Sequence, residues 1–264
     1  MVKNFNYNNK LILVTGGTTG IGFELVKILC TKCKYIAIVG RDEKKLSTEF
    51  KNLLNKNKNV IFFSYDLKKL NGIPVLINKI KSKFNMSIDV VFNCAGYAVL
   101  GKVDKVPIDE YINNFNVNYF SSVYITKELI SEFKSKKSGQ FIFISSGVGK
   151  RGLPGVSSYC STKSALNGFC ESLRIELLKY NIDVIVVSPG LVKSDFKKNT
   201  SMFGTLKNYF DNGRAKSAEH VASKIFFQST KRKKNINLSY KTMIGTFISN
   251  NFPGLIEYYL SKKF

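Results

Sequence analysis

Tryptophan is absent, and histidine occurs once, at His220. A Ser–His–Asp hydrolase needs a histidine base held between a serine and a carboxylate. His220 instead sits in Ser217-Ala218-Glu219-His220, a polar stretch that reads as the start of a helix, so that chemistry is set aside. Cysteine occurs five times. Cys30 and Cys33 have the spacing of half a zinc site, but Cys94, Cys160 and Cys170 supply no second pair, and no metal centre is expected. There is no G-x-x-x-x-G-K-[ST] stretch, which leaves nucleotide hydrolysis by a P-loop unsupported. Residues 1–10 are polar and rich in Asn, unlike a secretory leader or an anchor. The apolar stretch Met243–Ile256 is shorter than the about 20 residues a membrane span needs. The expected setting is therefore cytoplasmic, with reduced thiols.

Acidic residues are also scarce. There are 18 Asp and Glu against 41 Lys and Arg, a formal net charge of +23. Such a charge suits an anionic partner such as nucleic acid, a membrane surface or a phosphorylated substrate. It also suits compositional drift, because Lys and Asn are abundant throughout and the basic residues are spread along the chain. The short runs at Lys134, Lys136 and Lys137, at Lys197 and Lys198, and at Lys231–Lys234 read as solvated faces. No recognised nucleic-acid motif is present, so no nucleic-acid partner is expected.

Apolar strand-like runs at Leu11–Thr15, Tyr35–Gly40, Val60–Tyr65, Ile88–Asn93, Gln140–Ser145, Asp183–Ser188 and Asn235–Ser239 alternate with helix-length stretches. That alternation predicts an α/β fold: a single domain over 1–264, with a doubly wound, mostly parallel sheet of about seven strands. Residues 193–213 break the alternation and read as a helical lid insertion, and 242–260 as an apolar tail.

The first strand runs into Thr15-Gly16-Gly17-Thr18-Thr19-Gly20-Ile21-Gly22, with a helix expected from about Ile21. Glycines at a strand-to-helix turn let the backbone approach a pyrophosphate, and the helix N-terminus offers free N–H groups to the anion. Further on come Asn93-Cys94-Ala95-Gly96, Asn118 between Val117 and Tyr119, Ser146, and Tyr159-Cys160-Ser161-Thr162-Lys163, followed by Pro189-Gly190 and Ser194. From about Lys10 to Ser194 the chain resembles the short-chain dehydrogenase/reductase family, with Cys94 and Ser194 departing from the commoner Asn and Thr.

Tyr159 and Lys163, four apart, share a helix face. A tyrosine is a poor proton donor–acceptor at its ordinary pKa of about 10, and a nearby cation lowers that value. The resemblance implies Tyr159 as acid/base, Lys163 tuning it and holding the nicotinamide ribose, Ser146 orienting the substrate oxygen, and Asn118 anchoring a relay water. It implies a dinucleotide site made by Thr15, Gly16, Thr18, Thr19, Gly20, Ile21, Gly22, Arg41, Asp66, Leu67, Asn93, Ala95, Gly96, Tyr159, Lys163, Pro189, Gly190, Val192 and Ser194. The second strand ends at Gly40 and Arg41 rather than at an acid, which suits the 2′-phosphate of NADP(H). Asp42 reads as a helix cap. Thr19 lacks the base that many NADP-using relatives carry, which leaves NAD open.

The expected substrate is a small-molecule carbonyl or alcohol. Phe196, Met202, Phe203, Leu206, Tyr209 and Phe210 have the spacing of an amphipathic lid over an apolar substrate, and equally of a helix packed on the core. Residues 213–222 and Phe252-Pro253-Gly254-Leu255 resemble the dehydrogenase/reductase member-seven-like reductases of lipids and steroids, and residues 93–102 resemble 3-ketosphinganine reductases. A long-chain lipid or steroid-like substrate is implied. A homodimer or homotetramer is expected, and peripheral membrane contact through the tail stays open beside a tail packed on the protein. The competing function is a non-catalytic dinucleotide-binding redox sensor, against which Ser146, Tyr159 and Lys163 all argue.

Overall fold

Leu11, Ile12, Leu13 and Val14 are all fully buried. A strand hides every side chain only when both faces of its sheet are covered. The structure, a computed structural model, describes residues 4–193, 196, 199–204 and 215–263. Its strands are β1 (Leu11–Thr15), β2 (Tyr35–Gly40), β3 (Val60–Ser64), β4 (Ile88–Asn93), β5 (Val99–Gly101), β6 (Gly139–Ile144), β7 (Ile182–Ser188), β8 (Val192–Lys193), β9 (Ser201–Phe203), β10 (Lys216–Ser217) and β11 (Asn235–Asn237). Its helices are α1 (Gly20–Lys32), α2 (Thr48–Lys56), α3 (Ile73–Phe84), α4 (Ile108–Phe115), α5 (Ser121–Lys136), α6 (Ser157–Leu177), α7 (Ala218–Thr230), α8 (Tyr240–Asn251) and α9 (Pro253–Lys263).

The main sheet is parallel, in the order β11-β7-β6-β4-β1-β2-β3. Leu11 and Leu13 face one side, with Ile80 of α3, Phe133 of α5 and Leu173 of α6. Ile12 and Val14 face the other, with Leu25 and Leu29 of α1 and Val221 and Ile225 of α7. The order reverses between β1 and β4, so the carboxyl ends of those strands flank a crevice, the usual ligand position in an open α/β sheet. The N-terminal segment is tied beneath the sheet by the Tyr7 hydroxyl, 2.6 Å from Gln140 Oε1 and 2.9 Å from Ser229 Oγ.

Several expectations shift. Asp42 does not cap a helix. Its carboxylate accepts from the Lys44 N–H at 3.0 Å, closing a local turn, and α2 starts six residues later under Ser47, whose Oγ accepts from Phe50 N at 3.1 Å. The parts of the lid insertion within the described residues include two short strands: β8 pairs with β10, and β9 pairs with β5. Met202 and Phe203 therefore sit on β9, in register with Leu100 and Gly101. Leu206, Tyr209 and Phe210 lie outside the described residues. The tail, read as one apolar stretch, is two helices that meet at Phe252 and Pro253, because proline fits the first turn of a helix and not its interior.

Phe141 on β6 stacks on Phe133 with ring centroids 4.6 Å apart and lies 6.3 Å from Phe143. Phe141→Ala is expected to lower the unfolding free energy by about 3–5 kcal/mol in urea titration. A loss under about 1 kcal/mol would show that this face of the sheet is not the close-packed core it forms in the structure.

Candidate active site

The turn after β1 is shaped by positions where a side chain does not fit. Gly16 has φ +64°, and a Cβ there would lie 2.7 Å from the Ala95 Cα. A Cβ on Gly22 would collide with the Gly16 carbonyl oxygen. The turn thus holds its backbone tight against the end of β4 and leads into α1, whose Thr19 cap makes no side-chain hydrogen bond and whose first turn carries no acid. Its leading N–H groups and positive dipole end face the crevice, the arrangement that takes a phosphate.

Thr18, Thr19, Gly20, Ile21 and Gly22 line a cleft of about 950 Å³ together with Gly16, Arg41, Asp66, Leu67, Ala95, Gly96, Tyr159, Lys163, Pro189, Gly190 and Val192. Arg41 follows β2 directly and extends over the cleft, its guanidinium 3.5 Å from Asn199 Oδ1. Asp66 stands at the end of β3 and accepts from Lys68 N at 3.0 Å. Thr15 and Asn93 are buried behind the lining. Thr15 Oγ1 accepts from Ala95 N at 3.3 Å, and Asn93 Oδ1 has no hydrogen-bond partner among the described residues. Gly190 has φ +76°. Of the residues expected at this site, Ser194 lies outside those described. The cradle where a Cβ would collide, the open helix terminus and the cation at the end of β2 together fit a phosphorylated dinucleotide.

At the inner end, α6 presents Tyr159 and Lys163 beside Ser146, which stands two residues beyond β6. Lys163 is buried and donates from Nζ to the Ile144 carbonyl at 2.8 Å. Its Nζ lies 5.7 Å from the centre of the Tyr159 ring. Gly149 lets the 147–150 turn press onto α6, since a Cβ there would lie 2.8 Å from the Lys163 carbonyl carbon. Asn167 and Ser164 donate to the Gly149 carbonyl at 3.1 and 2.9 Å, which fixes the turn that carries Ser146.

The electrostatics differ from the sequence expectation. Burial pushes the Tyr159 hydroxyl up to about 12, opposed by a hydrogen bond with Ser146. Burial also lowers Lys163 to about 8. Burial outweighs the Ser146 hydrogen bond at Tyr159 and the nearby thiols of Cys94 and Cys170 at Lys163, and the ammonium is anchored to the Ile144 carbonyl rather than to the phenol oxygen. Tyr159 is therefore a firm proton carrier at neutral pH, and Lys163 titrates near it.

Asn118 sits where α4 passes into α5 through a π turn at Asn116–Phe120. Its carboxamide accepts from Tyr97 N at 3.0 Å and donates to the Tyr97 carbonyl at 3.0 Å and to Thr162 Oγ1 at 3.1 Å. It clamps the loop after β4 to α6. Sequence reasoning missed its companion: Asn114, one helical turn earlier, also donates to the Tyr97 carbonyl, at 2.9 Å. The four-residue spacing on one helix was the available signal. Also missed were Tyr97 and Ser249, whose buried hydroxyls have no hydrogen-bond partner among the described residues and whose residues line the cleft. The wall beside Tyr159 is apolar. Val148, Leu153 and Val156 cluster with it, and Phe196 packs on its ring at 5.9 Å.

Known proteins are similar to this chain. The family pattern described as short chain dehydrogenase covers residues 10–203. A 3-dehydrosphinganine reductase of Danio rerio is 34% identical over 193 residues, 71% of this chain and 58% of that protein. A dehydrogenase/reductase SDR family protein 7-like of Drosophila melanogaster is 28% identical over 263 residues, 96% of this chain and 80% of that protein. The chain thus spans less than two thirds of the first relative. A crystal structure of a short chain dehydrogenase from Burkholderia cenocepacia in complex with NADP superposes with a TM-score of 0.79 at 16% identity, covering 97% of this chain and 99% of that one.

The pH dependence of stability follows from the buried ammonium. Below about pH 8 the fold holds a cation that burial disfavours. Between there and the ordinary lysine value, the unfolded chain still binds a proton that the fold has released, so stability rises with pH. The unfolding free energy of the wild type minus that of Lys163→Met should rise by about 2–3 kcal/mol from pH 7 to pH 10. A difference that stays flat would mean that Lys163 is not desolvated.

Proposed function

The chain belongs to the short-chain dehydrogenase/reductase family, a family of NAD(P)-dependent oxidoreductases acting on alcohol and carbonyl groups, and on that premise we propose that it is an NADP(H)-dependent reductase of apolar, long-chain or steroid-like ketones. The observation that carries this reading is the juxtaposition of Tyr159, Lys163 and Ser146 at the inner end of a cleft whose outer end presents Arg41.

When bound, the dinucleotide supplies the hydride. The chain's own residues supply the proton and the geometry. The Ser146 hydroxyl, on a turn fixed by Asn167 and Ser164, donates to the carbonyl oxygen and sets it beside Tyr159. Tyr159 keeps its proton through neutral pH and delivers it as negative charge develops on that oxygen. The phenolate left behind lies near Lys163, whose ammonium stabilises it and which releases protons near pH 8. A resting phenol favours the reductive direction, since oxidation needs the phenolate first. Selectivity for NADPH rests on Arg41, a planar cation suited to a phosphate.

Support for an apolar substrate comes from Val148, Leu153, Val156 and Phe196 beside Tyr159, and from relatives that include 3-dehydrosphinganine reductase. A redox sensor would need the dinucleotide cleft alone. The buried pair on α6 is the observation that favours catalysis.

The test is nucleotide consumption against lipid, steroid and small carbonyls, with two variants. NADPH should support turnover, best on an apolar ketone. Tyr159→Phe should abolish turnover while the variant still binds NADPH. Arg41→Ala should weaken NADPH about 10- to 150-fold, the effect of losing a charge-assisted bond, and leave NADH nearly unchanged. Turnover surviving in Tyr159→Phe, or equal loss for the two nucleotides in Arg41→Ala, would contradict the assignments.

A further inference from the structure

Helices α8 and α9 form a hairpin with two unlike faces. One face is part of the cleft, lined by Thr246 and Ser249 of α8 and by Ile256, Tyr259 and Leu260 of α9. The spacing of Ile256 and Leu260 is one helical turn, as for any single helix face. The other face is exposed and apolar. Tyr240, Ile244 and Phe247 follow at i, i+4 and i+7 on α8, and Leu255 and Tyr258 at i and i+3 on α9, with Phe252 between the helices. Tyr240 is 83% exposed and Phe247 67%. Of the nineteen exposed large apolar residues among those described, nine fall between Tyr240 and Tyr259. Scattered apolar residues are ordinary on a surface, but a contiguous group marks a contact site.

The charges around the hairpin are of one sign. Exposed Lys150 lies beside Met243 and Thr246 of α8, and exposed Lys262 is on α9 itself. Lys262 lies over the Tyr258 ring with Nζ 4.4 Å from the centroid. Glu257, the one acid from residue 240 onward, is already paired with Arg151 at 3.1 Å. A second copy of this chain would bring the same excess of positive charge to the contact, whereas an anionic lipid surface is complementary to it. Aromatic and aliphatic side chains with lysines at the rim are the composition of a segment that lies in a membrane interface.

We propose that the outer face of the α8–α9 hairpin docks the protein on an anionic lipid surface. The inner face of the same hairpin walls the cleft beside Tyr159, so docking brings the mouth of the cleft to the bilayer. Delivery of an apolar ketone by this route rests on the reductase reading, but the docking does not. Docking is measured with no substrate present, and turnover is measured on a water-soluble carbonyl with no vesicles, so either can fail without the other.

The absence of tryptophan supplies a clean probe. Phe247→Trp places a single indole on the outer face, and Phe227→Trp places one on α7 beside Lys231, outside the hairpin. With phosphatidylcholine vesicles containing phosphatidylserine, the emission of Phe247→Trp should move to shorter wavelength and that of Phe227→Trp should not. The shift should weaken with salt and be lost with phosphatidylcholine alone. In co-sedimentation, the double variant Ile244→Asp with Leu255→Asp should lower the bound fraction about ten-fold or more while turnover of a soluble carbonyl persists. No shift with any vesicle, an equal shift at both indole positions, or a double variant that binds like wild type would overturn the proposal. So would a double variant that breaks a dimer in light scattering while the wild type binds no vesicles, since the face would then be a contact between copies.

Discussion

The structure around the cleft depends on one constraint, the burial of an ammonium group. Lys163 Nζ reaches the Ile144 carbonyl at the end of β6, and no salt bridge among the described residues neutralises it. An isolated buried charge is costly, and a protein meets that cost by moving the group's pKa and by supplying fixed dipoles. Both responses are present. Lys163 falls to about 8, and its ammonium donates to the Ile144 carbonyl dipole. Gly149 and Gly96 are parts of the same arrangement: a side chain at Gly149 would push the turn off α6, and one at Gly96 would crowd Asn118 Oδ1 at 3.0 Å.

That constraint divides the labour of the proposed chemistry. Tyr159, at the inner end of the cleft, is raised to about 12 by desolvation and so holds its proton. A cation that titrates near neutrality next to an acid that does not is a natural order for a proton relay: the phenol delivers, and the lysine stabilises what remains. The proposed dinucleotide end is built differently, from glycine turns, a helix terminus and a single exposed arginine, which would bind by charge and shape rather than by titration.

Much of this was legible in the sequence, for identifiable reasons. Most of the seven parallel strands announce themselves because they are apolar along most of their length, as Leu11–Thr15 and Tyr35–Gly40 are, whereas Asn235–Asn237 offers only Ile236 to the core. The tight turn after β1 is legible because Gly16 and Gly22 sit where no side chain fits, which is a local property. Tyr159 and Lys163 are a local pair on one helix. What was not legible depends on distance along the chain. Asn114 and Asn118 meet the Tyr97 backbone across 17 and 21 residues, and Arg151 meets Glu257 across 106. Asp42 looked like a helix cap, but the chain makes a turn there first and spends Ser47 on the cap. The direction of the Tyr159 shift was also missed, because spacing shows that a cation is near and does not show how little water reaches either group.

The chemistry proposed for the cleft requires Lys163 to be a desolvated cation that titrates near neutral pH. The most direct measurement is its own titration, by carbon NMR of protein labelled at the lysine ε-methylene, with the Lys163 signal identified as the one lost in Lys163→Met. A midpoint near 8 is expected in the ligand-free protein. A midpoint at the ordinary lysine value of about 10.4 would contradict it.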